Sequence, residues 1–101
     1  MPGTLSTCAD FDRLLQEARA EVARMAAAEP DFNAIAVVRT QLDVLHAITR
    51  DGRAPAQGEK DHFNFGLIAS REFADYPVAQ SLYALASFVI WWGEPGHPPH
   101  G

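Results

Sequence analysis

The chain has 101 residues, of which 48% are hydrophobic, and this length predicts one domain built around a single hydrophobic core. Its formal net charge is −5, from 13 acidic and 8 basic residues. This balance disfavours nucleic acid as a partner, because each phosphate contact requires a lysine or an arginine.

The first predicted helix begins at Ser6 or Thr7, since either side chain caps the free backbone N–H groups of a first turn. Its end is predicted at Glu29-Pro30, because proline disfavours a helical conformation of the residue before it. Apolar residues recur at helical spacing between these points, so the helix presents one stripe to the core. The stripe consists of Phe11, Leu14, Leu15, Ala18, Val22 and Met25.

The second predicted helix follows directly, with Asp31 as its capping residue. It ends at Asp51-Gly52, where the glycine supplies the left-handed turn that commonly closes a helix. The segment 51–58 holds the glycine, proline and alanine residues of a loop. The spacing of the apolar stripe suits packing against an antiparallel neighbour. The stripe consists of Ile35, Val38, Leu42 and Leu45.

A third helix is predicted over about 61–74, and its apolar residues fall on two sides. Two apolar sides require two neighbouring elements. One side is predicted to carry Phe63, Leu67 and Ala74, and the other Phe65, Ile68 and Ala69.

The fourth predicted helix opens at Tyr76-Pro77, since proline is tolerated in a first turn, and ends near Gly93. Its inner stripe is Val78, Leu82, Leu85 and Val89. The uncharged run 78–92 is shorter than the roughly 20 apolar residues of a membrane-spanning helix, so no membrane partner is expected. The sequence thus predicts an all-α fold, a small antiparallel bundle of four helices over residues 1–93, with a disordered His/Pro-rich tail at 94–101.

Residue patterns for chemistry are weak throughout the chain. His97 and His100 flank two prolines without a nearby carboxylate or thiolate to complete a tetrahedral metal site. His46 and His62 have no second histidine or cysteine one turn away. Cys8 has no nucleophile motif around it, and no glycine-rich phosphate loop occurs. We therefore predict no catalytic residue, no metal site and no cofactor, and a protein that is not an enzyme.

Aromatic and acidic residues concentrate in the second half of the chain. Residues 59–101 hold eight of the ten aromatic residues and five acidic residues, against Lys60 and Arg71 as the bases. Large aromatic side chains dominate binding energies, and an acidic rim accelerates association with a basic partner. Burial in the core is the competing interpretation for Phe63, Phe65 and Phe88. Tyr76 and Trp91 lie off the main stripes and are the stronger interface candidates.

Two segments resemble a known bacterial family. They are QLDVLHAITRDG at 41–52 and FNFGLIASREFADYP at 63–77. Both are similar to segments of the small helical immunity proteins of type VI secretion systems that neutralise NAD(P)+ glycohydrolase toxins. The likeness covers roughly residues 31–90, and the Gly-Leu-Ile-Ala-x-Arg-Glu run from Gly66 to Glu72 carries most of it.

The resemblance implies that the protein is a helical bundle and that its partner is a cognate effector toxin. It also implies that the bundle blocks the toxin's dinucleotide-binding cleft. The lone cysteine and the absence of a signal-peptide pattern indicate a cytoplasmic protein. The alternative is a self-associating structural or adaptor subunit, with a homodimer formed by its last two helices. For Arg71 and Glu72, an ion pair within the bundle is slightly favoured over toxin contact. The predicted partner-binding residues are Asp61, His62, Arg71, Glu72, Asp75, Tyr76, Tyr83 and Trp91.

Overall fold

The computed structural model describes residues 8–50 and 53–92, with the side chains of Cys8 and Trp91 outside this description. Helices and connecting turns, without β-strands, make up these two ranges. The helices are α1 Cys8–Ala28, α2 Asn33–Thr49, α3 Gln57–Lys60, α4 Phe65–Glu72 and α5 Val78–Trp91. Four of them form an antiparallel bundle, as predicted, and α3 is a single additional turn. None of the described helices has the length and hydropathy needed to cross a membrane.

The four long helices contact one another in a closed cycle around the core. Helix α1 packs against α2 and α5, while α4 packs against α5 and α2. The predicted stripes of α2 and α5 are buried completely, and that of α1 is buried except at Leu14 and Met25, which are partly exposed. Helical periodicity therefore predicted the inward faces of the three longest helices correctly.

The start of α2 differs from the prediction. The helix begins at Asn33, its N-cap is Phe32, and no side chain caps it, whereas Asp31 was expected in that role. The Phe32 ring lies against Phe73, with ring centroids 5.7 Å apart. Phe32 is only partly buried, but an aromatic pair contributes about 1 kcal/mol, similar to a helix cap, so this contact offsets the missing cap.

The predicted third helix is wrong at its start, because α4 begins at Phe65 and not near Asp61. A separate turn, α3, precedes it, and its first two residues, Gln57 and Gly58, belong to the predicted loop. Glu59 Oε1 accepts a hydrogen bond from the Ala56 backbone N–H at 2.8 Å and pairs with Arg53 at 3.0 Å. Lys60 Nζ donates to the carbonyl oxygens of Ile90 and Trp92, at 3.2 and 2.7 Å. The turn is therefore held by contacts with the distant end of α5.

Helix α4 buries only one of the two apolar sides predicted for it. Phe65, Ala69 and Phe73 are in the core, whereas Leu67 is 52% exposed and Ala74 is also exposed. The helix is just over two turns long and lies against α2 and α5, so both neighbours cover the same inward half of its circumference. The expectation that Leu67 and Ala74 would be buried is wrong.

Candidate functional site

A groove of about 430 Å³ lies between α2 and α4. Its walls carry two of the largest exposed apolar residues of the described chain, Leu67 at 52% and Val37 at 36%. Exposed apolar side chains on neighbouring helices are typical of an interaction surface. The groove is lined by Phe32, Asn33, Ala34, Val37, Asn64, Leu67, Ile68, Arg71 and Glu72.

The groove exists because α4 covers only part of α2. Next to its buried stripe, α2 carries a second set of residues at helical spacing, Ala34, Val37, Gln41 and Val44. Among these, Gln41 reaches α4. Its Oε1 accepts a hydrogen bond from the Asn64 backbone N–H at 2.9 Å, and its Nε2 donates to Asn64 Oδ1. This amide fixes the first turn of α4 against α2 and leaves Val37 and Leu67 uncovered beside it.

The other end of the groove is closed by an aromatic cluster, which we call the loop clasp and define as Phe32, Phe73 and Tyr76. Ring centroids are 5.7 Å apart for Phe32 and Phe73, and 5.6 Å apart for Phe73 and Tyr76. The Tyr76 hydroxyl donates a hydrogen bond to Glu29 Oε2 at 2.9 Å. The clasp therefore joins the α1–α2 loop to the α4–α5 loop and holds Phe32 at the end of the groove.

The Glu29 carboxylate raises the pKa of the Tyr76 phenol, mainly through this hydrogen bond, with desolvation and the nearby charges of Glu29 and Asp75 adding to the effect. A Tyr83→Phe variant retains Tyr76 as its sole tyrosine. We expect its phenolate absorbance to titrate above pH ~10, the usual value for tyrosine. Adding Glu29→Gln to this variant should move the midpoint back towards ~10.

The sign of the effect on stability follows from the direction of this shift. Because the folded-state pKa is raised, the hydrogen bond stabilises the fold fully below pH ~10, and its contribution disappears as pH rises through the folded-state value. Urea midpoints of the wild type and Tyr76→Phe should therefore differ at neutral pH and converge in alkali. A constant difference across that range would contradict the assigned hydrogen bond.

Carboxylates gather around the loop clasp. Glu29 and Asp31 belong to the α1–α2 loop, Glu72 ends α4, and Asp75 lies in the α4–α5 loop. Apart from Glu29, which accepts from Tyr76, they form no ion pair or hydrogen bond through their side chains within the described ranges. Together they give this end of the groove a negative potential.

Arg71 and Glu72 do not form the ion pair within the bundle that the sequence analysis favoured. Both side chains are exposed, and neither forms an ion pair or hydrogen bond with any described residue. They follow one another on a helix, so they point about 100° apart. Both nevertheless line the groove. Their exposure leaves them available to a partner.

The structure brings four of the predicted partner-binding residues to one place. Arg71 and Glu72 line the groove, and Asp75 and Tyr76 lie at the loop clasp. Asp61 and His62 precede the N-terminal end of α4, whereas Arg71 and Glu72 lie at its C-terminal end. The two ends of this helix are about 12 Å apart. Tyr83 is half-buried against the core on α5, and the side chain of Trp91 lies outside the described residues.

Val37, Leu67 and Phe32 belong to the groove but were not among the predicted partner-binding residues. The sequence carries a signal for Val37, since it lies on the second stripe of α2. Leu67 carries no such signal, because its pattern predicted burial. Phe32 was missed because its position next to the expected cap gave no indication of its packing.

The other candidate groups have structural partners or lie elsewhere. His46 Nδ1 lies 2.9 Å from Gln16 Nε2, at the contact between α1 and α2. Within residues 8–50 and 53–92, no group of three or more histidine, cysteine, aspartate or glutamate residues is arranged to hold a metal ion. His97 and His100, together with the predicted tail at 94–101, lie outside the described residues.

The chain matches the protein-family model named Tsi6 over residues 11–90. The matched range begins in the first turn of α1, ends in the last turn of α5 and includes every residue of the groove and the loop clasp. No curated protein and no solved structure matches the chain.

Proposed function

The chain belongs to the Tsi6 family of type VI secretion immunity proteins, and we propose that it neutralises its cognate effector toxin by occluding the toxin's active site. The effector in this proposal is an NAD(P)+ glycohydrolase, as the sequence resemblance implies. The protein acts in the cytoplasm by binding alone, without catalysing a reaction. The observation that carries the proposal is the family match across residues 11–90.

The energetics of such a complex are within reach of a bundle of this size. A standard interface takes about 800 Å² from each partner. Neutralising a catalytic toxin calls for nanomolar affinity, about −12 kcal/mol, which usually depends on a few well-packed contacts. Apolar residues on the wall of a preformed groove suit such contacts. Because the groove is already folded in the free protein, little conformational entropy is lost when the partner binds.

Co-expression with a candidate effector, identified among the genes that neighbour the gene of this chain, tests the proposal. We expect cells that express the effector alone to lose NAD+ and cells that express both proteins to retain it. A catalytically inactive effector provides the control for expression burden.

The two parts of the proposal have separate outcomes. Unchanged toxicity in the presence of this chain would contradict immunity to that effector. Protection against a toxin that leaves NAD+ and NADP+ intact would contradict the glycohydrolase part and retain the immunity part.

A further inference from the structure

We propose that the effector inserts an apolar side chain into the α2–α4 groove, between Val37 and Leu67, and places a lysine or arginine against the carboxylates around the loop clasp. This inference rests on the proposed function, because it assigns the surface through which the same partner is bound. The groove and its charged end together define the chemistry of the effector's contact segment.

The apolar part of this recognition follows from exposure and burial. Leu67 on α4 and Val37 on α2 both line the groove. They are 52% and 36% exposed, respectively. Ile68 and Phe32, both partly buried against the core, complete the apolar lining. An apolar side chain seated among these four residues would remove exposed apolar surface on both partners. Contacts of this kind slow dissociation.

The charged part follows from the carboxylates. Asp31, Glu72 and Asp75 are exposed and have no ion pair within the described ranges, and Arg71 is the one basic residue lining the groove. A negative rim attracts a basic surface over distance and accelerates its association. The basic residue of the effector therefore lies next to the apolar one, since the rim adjoins the groove.

Charge also distinguishes the effector from a second copy of this chain. In a symmetric dimer the same patch meets itself, so the acidic rims of the two copies would lie close to each other. Like charges brought together in this way oppose association. A partner with a basic surface is favoured by the same carboxylates, and a toxin that binds a phosphate-containing dinucleotide is expected to provide one.

Binding kinetics of the purified chain and the effector's toxin domain test the apolar part. We expect Leu67→Ser and Val37→Ser each to raise the dissociation rate about tenfold or more. Ile90→Ser is the matched control, since Ile90 is 58% exposed on α5 and lies outside the groove, and its dissociation rate should equal that of the wild type. Circular dichroism should show all three variants folded.

A second comparison tests the charged part. Glu72→Gln should slow association severalfold at low ionic strength and weaken its dependence on salt, with little change in the dissociation rate. Glu17→Gln removes one exposed carboxylate from α1 and serves as the matched control. Equal association rates for the two variants would overturn the assignment of the acidic rim.

The remaining outcomes separate this inference from the proposed function. If the wild type binds the toxin domain and the groove variants bind equally well, the docking surface is elsewhere and immunity stands. If the wild type fails to bind, the effector is not the occupant and both claims fall. If sedimentation shows a dimer that Leu67→Ser disrupts while toxin binding is unchanged, a second copy occupies the groove.

Discussion

Replacing Phe73 with alanine is expected to lower the free energy of unfolding by about 3–5 kcal/mol, the usual cost of deleting a buried phenyl ring. Phe73 is fully buried and contacts both Phe32 and Tyr76, so the change removes the centre of the loop clasp. Domains of this size have total stabilities of about 5–15 kcal/mol, so the loss is a large share of the total. Urea denaturation followed by circular dichroism measures it.

The matched control is Leu67→Ala on the same helix. Because Leu67 is 52% exposed, we expect its truncation to change the free energy of unfolding by less than about 1 kcal/mol. The two positions therefore separate stability from binding. Phe73→Ala should lower the free energy of unfolding, whereas substitutions of Leu67 should lower the affinity for the effector. A Phe73→Ala midpoint equal to that of the wild type would show that the clasp does not hold this end of the bundle.

Replacing Gly66 with alanine is expected to destabilise the bundle by about 1–2 kcal/mol. A Cβ atom at this position would lie 2.8 Å from the Cβ of Ala86 on α5, closer than two carbon atoms approach. Both atoms are fixed to helix backbones, so α4 and α5 must move apart. Overpacking of this kind costs about 1–3 kcal/mol, and the higher helix propensity of alanine offsets up to about 1 kcal/mol of it.

Gly58 provides the control for helix propensity alone. A Cβ atom there would meet no other atom within 4 Å. Gly58→Ala should therefore leave the free energy of unfolding unchanged or raise it by up to about 1 kcal/mol. Differential scanning calorimetry of both variants gives the comparison. Equal melting temperatures would contradict close contact of α4 and α5 at Gly66.

The same close contact explains one residue of the motif that carries the family resemblance. Within the run from Gly66 to Glu72, Gly66 permits α4 to approach α5, and Ala69 is buried between helices. Arg71 and Glu72 instead face the groove. The run therefore combines residues that position α4 with residues exposed to a partner, and sequence alone does not separate these two roles.

Four of the eight predicted partner-binding residues lie near one another in the structure, because the prediction used charge and aromatic content, which are properties of a segment. Arg71, Glu72, Asp75 and Tyr76 are close in sequence, so any fold that exposes this segment keeps them near one another. Asp61 lies before this segment and Tyr83 lies after it, and the path of the helices places both away from the groove. The effector contacts themselves stay predictions for all of these residues.

By itself, the sequence determined the four helices, the boundary at Pro30 and the inward stripes of the longest helices, because helical periodicity and proline geometry act within a few residues. Only the tertiary structure decided that Lys60 anchors α3 to the end of α5, that Phe32 replaces Asp31 at the start of α2, and that Leu67 is exposed. Each of these features depends on contacts, or on missing contacts, with residues that are distant in the sequence. The groove belongs to this second group, since it is the part of α2 that a short α4 leaves uncovered.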